Sequence, residues 1–283
     1  MGTLSRSWDL LGQSFAILKS DKELMWLPIL SAIFCLMACV IIGGVGLLLY
    51  LPPGPIPHDP ALQKLLGRQM APFIFMLYVA TYSLATYFNV ALVSIAADRL
   101  GGGHATLNDG LQAAWDRKWS ILQWALLAAT VGMVLQMLES RSRVVGRIVS
   151  RVAGLGWTLA SFFVVPLLVA QNMGPVEALY KSAQIFRKTW GEEVAGGFSF
   201  QLIFVLLALP GALLPVAAVR LGSATLFFPG LALALIYWLL LGVVSSAAHG
   251  VFVAALYRYA TEQKISGGFY RNDLSGAWQP KLR

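Results

Sequence analysis

Residues 221–257 read LGSATLFFPGLALALIYWLLLGVVSSAAHGVFVAALY, 37 residues without one Asp, Glu, Lys or Arg. A helix that crosses a bilayer needs about 20 apolar residues, so this stretch crosses with length to spare. Working outward from it, five more charge-free windows lie at 24–58, 69–97, 119–138, 152–176 and 194–219. Together the six hold more than half of the 283 residues. Only 12% of the chain is charged, against roughly 25% for a soluble globular protein, and the mean hydropathy is +0.70. So little charge cannot cover an aqueous surface. Backbone polar groups must be paired in hydrocarbon, and the windows show no two-residue alternation, so they are helices and not strands. The expected fold is all-α: a polytopic membrane protein with transmembrane helices near 25–51, 71–97, 119–138, 152–170, 196–219 and 229–257. No soluble catalytic domain fits in the remainder, and no nucleic-acid partner is expected despite the pI of 9.7.

The net charge is +8, and its placement carries more information than its size. Six spans sort the cations into two sides. The N-terminus, 98–118, 177–193 and the tail after Tyr257 hold 14 Lys and Arg, while the opposite side holds 7. The positive-inside rule then puts both termini in the cytoplasm. Four of the seven, Arg141, Arg143, Arg147 and Arg151, crowd one short external connection against the rule.

Local chemistry refines the spans. Five prolines between Leu51 and Pro60 exclude helix from the first external loop. Pro210 and Pro215 in the fifth span and Pro166 in the fourth predict kinks there. The last span, 29 residues long, would make a helix of about 43 Å against a core of about 30 Å, so it must tilt, bend or project. Cys35 and Cys39 share a helical face, where parallel side chains disfavour a disulfide, and they read as small residues at a helix contact. The apolar run continuing to Tyr50 is too long for a signal-peptide core, so the first span is expected to be retained.

Three cytoplasmic segments share a helical period. Leu4, Trp8, Leu11, Phe15 and Leu18 form one apolar stripe, and Val176, Leu179, Ala183, Phe186 and Trp190 another. Leu107, Leu111 and Ala114 begin the same pattern. Each runs into a basic cluster: Lys19 and Lys22, Arg117 and Lys118, Arg187 and Lys188. Each returning span ends in a related phrase: Phe88-Asn-Val-Ala-Leu92, Phe163-Val-Val-Pro-Leu167 and Phe252-Val-Ala-Ala-Leu256. The expected plan is a single membrane domain, 1–283, of three hairpin repeats (about 1–97, 104–170 and 175–260) with a cytoplasmic tail at 261–283. An amphipathic helix carrying Trp and flanking cations lies in the interface of an anionic leaflet, so anionic membrane lipids are the expected partners. Packing of these segments on one another as a cytoplasmic layer is the alternative.

Trp8-Asp9-Leu10-Leu11, the Gly101-Gly102-Gly103-His104-Ala105-Thr106 turn and the closing Gly267-Gly268-Phe269 resemble a family of uncharacterised six-span bacterial membrane proteins. That family is similar in plan to the membrane domain that precedes some glycerophosphodiester phosphodiesterases. The resemblance implies a bacterial inner-membrane location and no assigned activity. These motifs carry no catalytic residues, and no phosphodiesterase domain accompanies them.

Candidate chemistry is sparse. His58, His104 and His249 sit on three segments without metal-ligand spacing, and no phosphate-binding loop or nucleophile elbow occurs. No metal, cofactor or enzymatic activity is expected. The spans lack the carboxylates that mark proton- or sodium-driven carriers. Two polar sets remain inside them. Tyr82, Thr86 and Asn89, with Tyr78, share one face of the second span, and Ser246 and His249 lie in the sixth. Each set could line a hydrated path or serve as a hydrogen-bonding seam between helices. His249 borders a stripe of small residues, Gly242, Ser246, Gly250 and Ala254, suited to close helix contact. Arg143, Arg147 and Arg151 recur every four residues. They would line an anion vestibule if they face inward and bind lipid phosphate if they face outward. The leading expectation is transport or channel-type handling of a small solute or anion, with a homo-oligomer left open. The alternative is a structural or lipid-organising membrane protein with no conduction path, and an intramembrane enzyme ranks behind both.

Overall fold

The computed structural model describes residues 12, 14, 22–50, 60–141, 145–171, 173–190, 200–221 and 224–262. Among them there is no strand. A 3-10 turn, Lys22–Met25, leads into α1 (Trp26–Ala38), a π turn (Cys39–Gly43) and α2 (Gly44–Tyr50). Then follow α3 (Pro60–Leu100), α4 (Leu107–Asp116), α5 (Lys118–Arg141), α6 (Val145–Ser161), α7 (Val164–Gln171) and α8 (Pro175–Trp190). The chain continues through α9 (Phe200–Ala208), a 3-10 turn (Leu209–Ala212), α10 (Leu213–Arg220) and α11 (Ala224–Glu262). Six stretches are long and apolar enough to cross a membrane: Lys22–Leu49, Gln69–Leu100, Lys118–Leu138, Val149–Gln171, Ile203–Arg220 and Thr225–Thr261. The protein is an all-α, multi-pass membrane protein.

The described residues form two compact units, one from 1–28, 92–107 and 184–283, the other from 29–91 and 108–183. In the first, Leu24, Leu27, Leu92, Ile95, Phe252 and Leu256 make a closed core. In the second, Phe88, Trp124, Phe163, Leu167 and Leu168 do the same, and Trp124 stacks on Trp157 with ring centroids 5.6 Å apart. The Phe and Leu of all three phrases that end the returning spans are buried. Lipid tails are as apolar as leucine, so packing and hydrogen bonds hold such cores together, with little help from water exclusion. Elsewhere the spans stay apolar and exposed, as at Leu36, Val40, Leu48, Leu213, Leu214 and Phe228.

Two breaks in the spans follow prolines, whereas Pro72 and Pro229 lie inside continuous helices. A proline ring clashes with the carbonyl four residues earlier. Pro166 therefore ends α6 at Ser161 and restarts the helix at Val164, a turn before the proline itself. The break frees the Phe163 N–H, which donates to Ser182 Oγ on α8 at 2.9 Å. Ser182 is fully buried, and without it a buried N–H would lose its partner, at about 1–3 kcal/mol. In the fifth span Pro210 lies in the 3-10 turn and Pro215 in the first turn of α10. Two α11 side chains bond carbonyls beside this break: Trp238 Nε1 donates to the Ala208 carbonyl at 2.9 Å, and the Tyr237 hydroxyl donates to that of Leu207. Gly211 lets this happen, since a Cβ there would run into the Trp238 indole. The π turn in the first span was not expected. It falls where the β-branched run Val40-Ile41-Ile42 meets Gly43 and Gly44.

Two amphipathic segments are helices as expected; the first, 4–18, lies outside the described residues apart from Gly12 and Ser14. On α8 the buried positions are Pro175, Ala178, Ser182 and Phe186, while Val176 and Tyr180 are exposed. On α4 they are Gly110 and Ala114, with Leu107 and Leu111 half-buried. Small side chains take part of each packed face, where they allow close approach, and Phe186 adds a large one on α8.

Candidate functional site

The polar face of the second span is built on α3. Tyr78 and Tyr82, one turn apart, stack with centroids 6.0 Å apart. Trp124 hydrogen-bonds the half-buried Tyr82 hydroxyl. Thr86 is buried and Asn89 exposed, so the four residues do not share one environment. Tyr78, at the far end of the row, borders an open cleft of about 280 Å³ between α3 and α5. Ile74, Phe75 and Tyr78 form one wall, and Ala129, Gly132, Met133 and Gln136 the other. The cleft exists because Ala129 and Gly132 put almost no side chain between the helices. A Cβ on Gly132 would lie 3.5 Å from the Tyr78 hydroxyl.

Ser246 and His249 belong to the other compact unit, on α11. Ser246 is exposed and His249 half-buried beside the buried Ala247, Ala248 and Gly250. The small-residue stripe divides in two. Gly250 and Ala254 are buried, and a Cβ on Gly250 would collide with Leu92 of α3, so this half makes the close helix contact. Gly242 and Ser246 are exposed, and that half makes no such contact with the described residues. Among the arginines, Arg143 lies outside the described residues, Arg147 is placed by its backbone in α6, and Arg151 is exposed on α6.

Several polar residues that the sequence left unremarked, or assigned to the membrane surface, hold the helix ends. Arg117 was expected as an interfacial cation; it is folded inward and half-buried. It donates to the carbonyls of Leu168 and Val169 at 2.8 Å each and of Ala113 at 2.7 Å. The last four carbonyls of a helix have no intrahelical donor, and two of those at the end of α7 are taken by this guanidinium. Its neighbour Lys118 lies over the Trp115 ring, 4.2 Å from the centroid, with Trp115 and Trp119 exposed. The Tyr87 hydroxyl donates to the Leu111 carbonyl at 3.0 Å, tying α4 to the second span.

The glycine-rich turn proves to be a connector. Gly101, Gly102 and Gly103 donate back to the carbonyls of Asp98, Arg99 and Asp98. Gly102 has φ +88°, where an L side chain is strained. A Cβ on Gly103 would collide with the Asp98 carboxylate, which accepts from the Ala105 N–H at 2.9 Å. Arg99 bonds the Ala105 carbonyl at 3.0 Å and pairs with Glu23 at 3.3 Å. The turn is fully engaged in joining α3 to α4, and His104 is exposed at its surface.

A family model described as a family of unknown function (DUF6159) matches residues 69–268. The matched stretch runs from the apolar part of α3 beyond the end of α11, and includes the cleft, Arg117 and the glycine turn. No curated protein matches the chain.

Proposed function

This chain belongs to the DUF6159 family, whose function is unknown, and we propose that it is a transport or channel-type protein handling a small solute or anion without transforming it chemically. Exposure of Asn89 and Ser246 within apolar spans supports the reading. An exposed amide facing acyl chains costs free energy, and polar groups inside spans tend to face water or a protein neighbour. We further propose a bacterial inner-membrane location, as the resemblance implies, with both termini cytoplasmic on the distribution of Lys and Arg. The test uses proteoliposomes challenged osmotically with glycerol, nitrate, chloride or inorganic phosphate. The protein should speed entry of at least one probe over empty vesicles. Asn89→Leu or Ser246→Leu should lower that rate about tenfold, the equivalent of about 1.4 kcal/mol in the barrier. Entry at the empty-vesicle rate for every probe, or unaffected Leu variants, overturns the reading.

A lipid-organising role without a path is the second reading. It is favoured by exposed Trp115 and Trp119 beside Lys118, an aromatic and cationic pairing suited to the head-group region.

A further inference from the structure

We propose that the fourth span is hinged at Phe162 and Phe163, and that its first half, α6, is a lid over the Trp124–Tyr82 pair while α7 stays fixed. The two halves are held very differently. In α7, Val164, Pro166, Leu167 and Leu168 are buried. Its start is pinned where the Phe163 N–H donates to Ser182 of α8, and its end where Arg117 donates to the Leu168 and Val169 carbonyls. Lys181 of α8 adds a bond to the Gln171 side chain. In α6, by contrast, no residue between 149 and 161 is buried. A Cβ on Gly154 or Gly156 would meet no described atom beyond its own helix. The Thr158 and Ser161 hydroxyls donate to carbonyls of α6 itself, those of Gly154 at 2.9 Å and Thr158 at 3.3 Å. A span with one half clamped and the other bare, joined by two non-helical residues, bends at the joint.

What the moving half covers follows from its ties to α5. Ser150 Oγ donates to the Leu135 carbonyl at 3.2 Å, and the Trp157 indole lies on that of Trp124, the rings 10° from parallel. Trp124 is 3% exposed and hydrogen-bonds the Tyr82 hydroxyl, and Tyr82 stacks on Tyr78. Lifting α6 gives up these two ties and uncovers Trp124, and with it the way to Tyr82. Moving α7 instead would strip a buried N–H and two carbonyls of their partners, which is the more costly change. Under the transport reading the lid gates the polar row of the second span; the hinge itself needs no conduction.

The test is the distance distribution between spin labels on the full chain in nanodiscs, measured by double electron–electron resonance in a Cys35→Ala/Cys39→Ala background. Leu155→Cys on α6 with Tyr180→Cys on α8 follows the hinge, and Leu126→Cys on α5 with Tyr180→Cys is the fixed reference; all three positions are exposed. The reference pair should give one distance and the hinge pair two, the second populated at about 1–10%. Trp157→Ala should raise that population about threefold or more. Pro166→Ala restores an N–H for the Phe162 carbonyl and lets the helix run through, so it should return the hinge pair to one distance. One distance for the hinge pair in both wild type and Trp157→Ala overturns the proposal. So does a second distance that survives Pro166→Ala, or one that occurs equally in the reference pair. Should Trp157→Ala not fold, Trp157→Leu takes its place in the same comparison. No solute is involved, so failure of the hinge and failure of the transport reading are separate results.

Discussion

Replacing Arg117 by Met lowers the unfolding free energy by about 1–3 kcal/mol, the cost expected when carbonyls lose their donor in a half-buried network. The guanidinium serves three carbonyls, two on α7 and one on α4, at 2.7–2.8 Å. A methionine fills its volume but donates nothing. Its charge also opposes the negative end of the α7 dipole. Arg117→Lys should recover only part of the loss, because a single ammonium cannot reproduce the planar fork. Equilibrium unfolding in mixed micelles measures both. An Arg117→Met protein as stable as wild type would mean that these carbonyls are satisfied some other way.

The second large effect is steric. Gly250→Val should destabilise by about 2–3 kcal/mol, the usual cost of overpacking a filled core. The added Cβ meets Leu92, which is 2% exposed and enclosed by the same core. Leu92→Ala makes room, and the double variant should recover at least about 1 kcal/mol relative to the sum of the single changes. Strict additivity would show that α3 and α11 do not meet at this point.

The spans were legible because hydropathy in a bilayer is a one-dimensional signal: length and the absence of charge suffice. Most span limits read from the windows lie within a few residues of the apolar stretches, but α3 begins at Pro60 and α6 at Val145, well before the expected 71 and 152. Proline chemistry was legible with an offset. Pro210 lies inside the break it causes, whereas Pro166 breaks the helix at Phe162–Phe163, where its ring would strike the preceding turn. What the sequence did not show was the packed face. On α8, Val176 of the apolar stripe is 68% exposed, Phe186 of the same stripe is buried, and Ser182 is fully buried. In a soluble protein the large apolar face goes inward; beside lipid it can go outward, and small residues take the contacts.

Arg117 was hidden for a related reason. Within Asp116-Arg117-Lys118 nothing distinguishes the cation that turns inward from the one that lies on Trp115. Ser182 carries no pattern at all, because its role is set by a proline sixteen residues earlier. The polar face of the second span was legible as a row but not as a site. Trp124 takes Tyr82, burial takes Thr86, and Asn89 is left exposed. Gly132 and Ala129 gave no sign of a cleft, since small residues on a lone helix also mark close packing.

The proposed path is tested most directly by aqueous thiol labelling. Asn89→Cys and Ser246→Cys, each in a Cys35→Ala/Cys39→Ala background, are treated in nanodiscs with a membrane-impermeant maleimide. Leu240→Cys, exposed on an apolar span, and Thr86→Cys, buried, serve as unreactive references. Prompt labelling is expected at 89 and 246 and none at 240 or 86. Labelling at 89 and 246 no faster than at 240 would contradict it, and would leave those side chains facing lipid or protein with no water beside them.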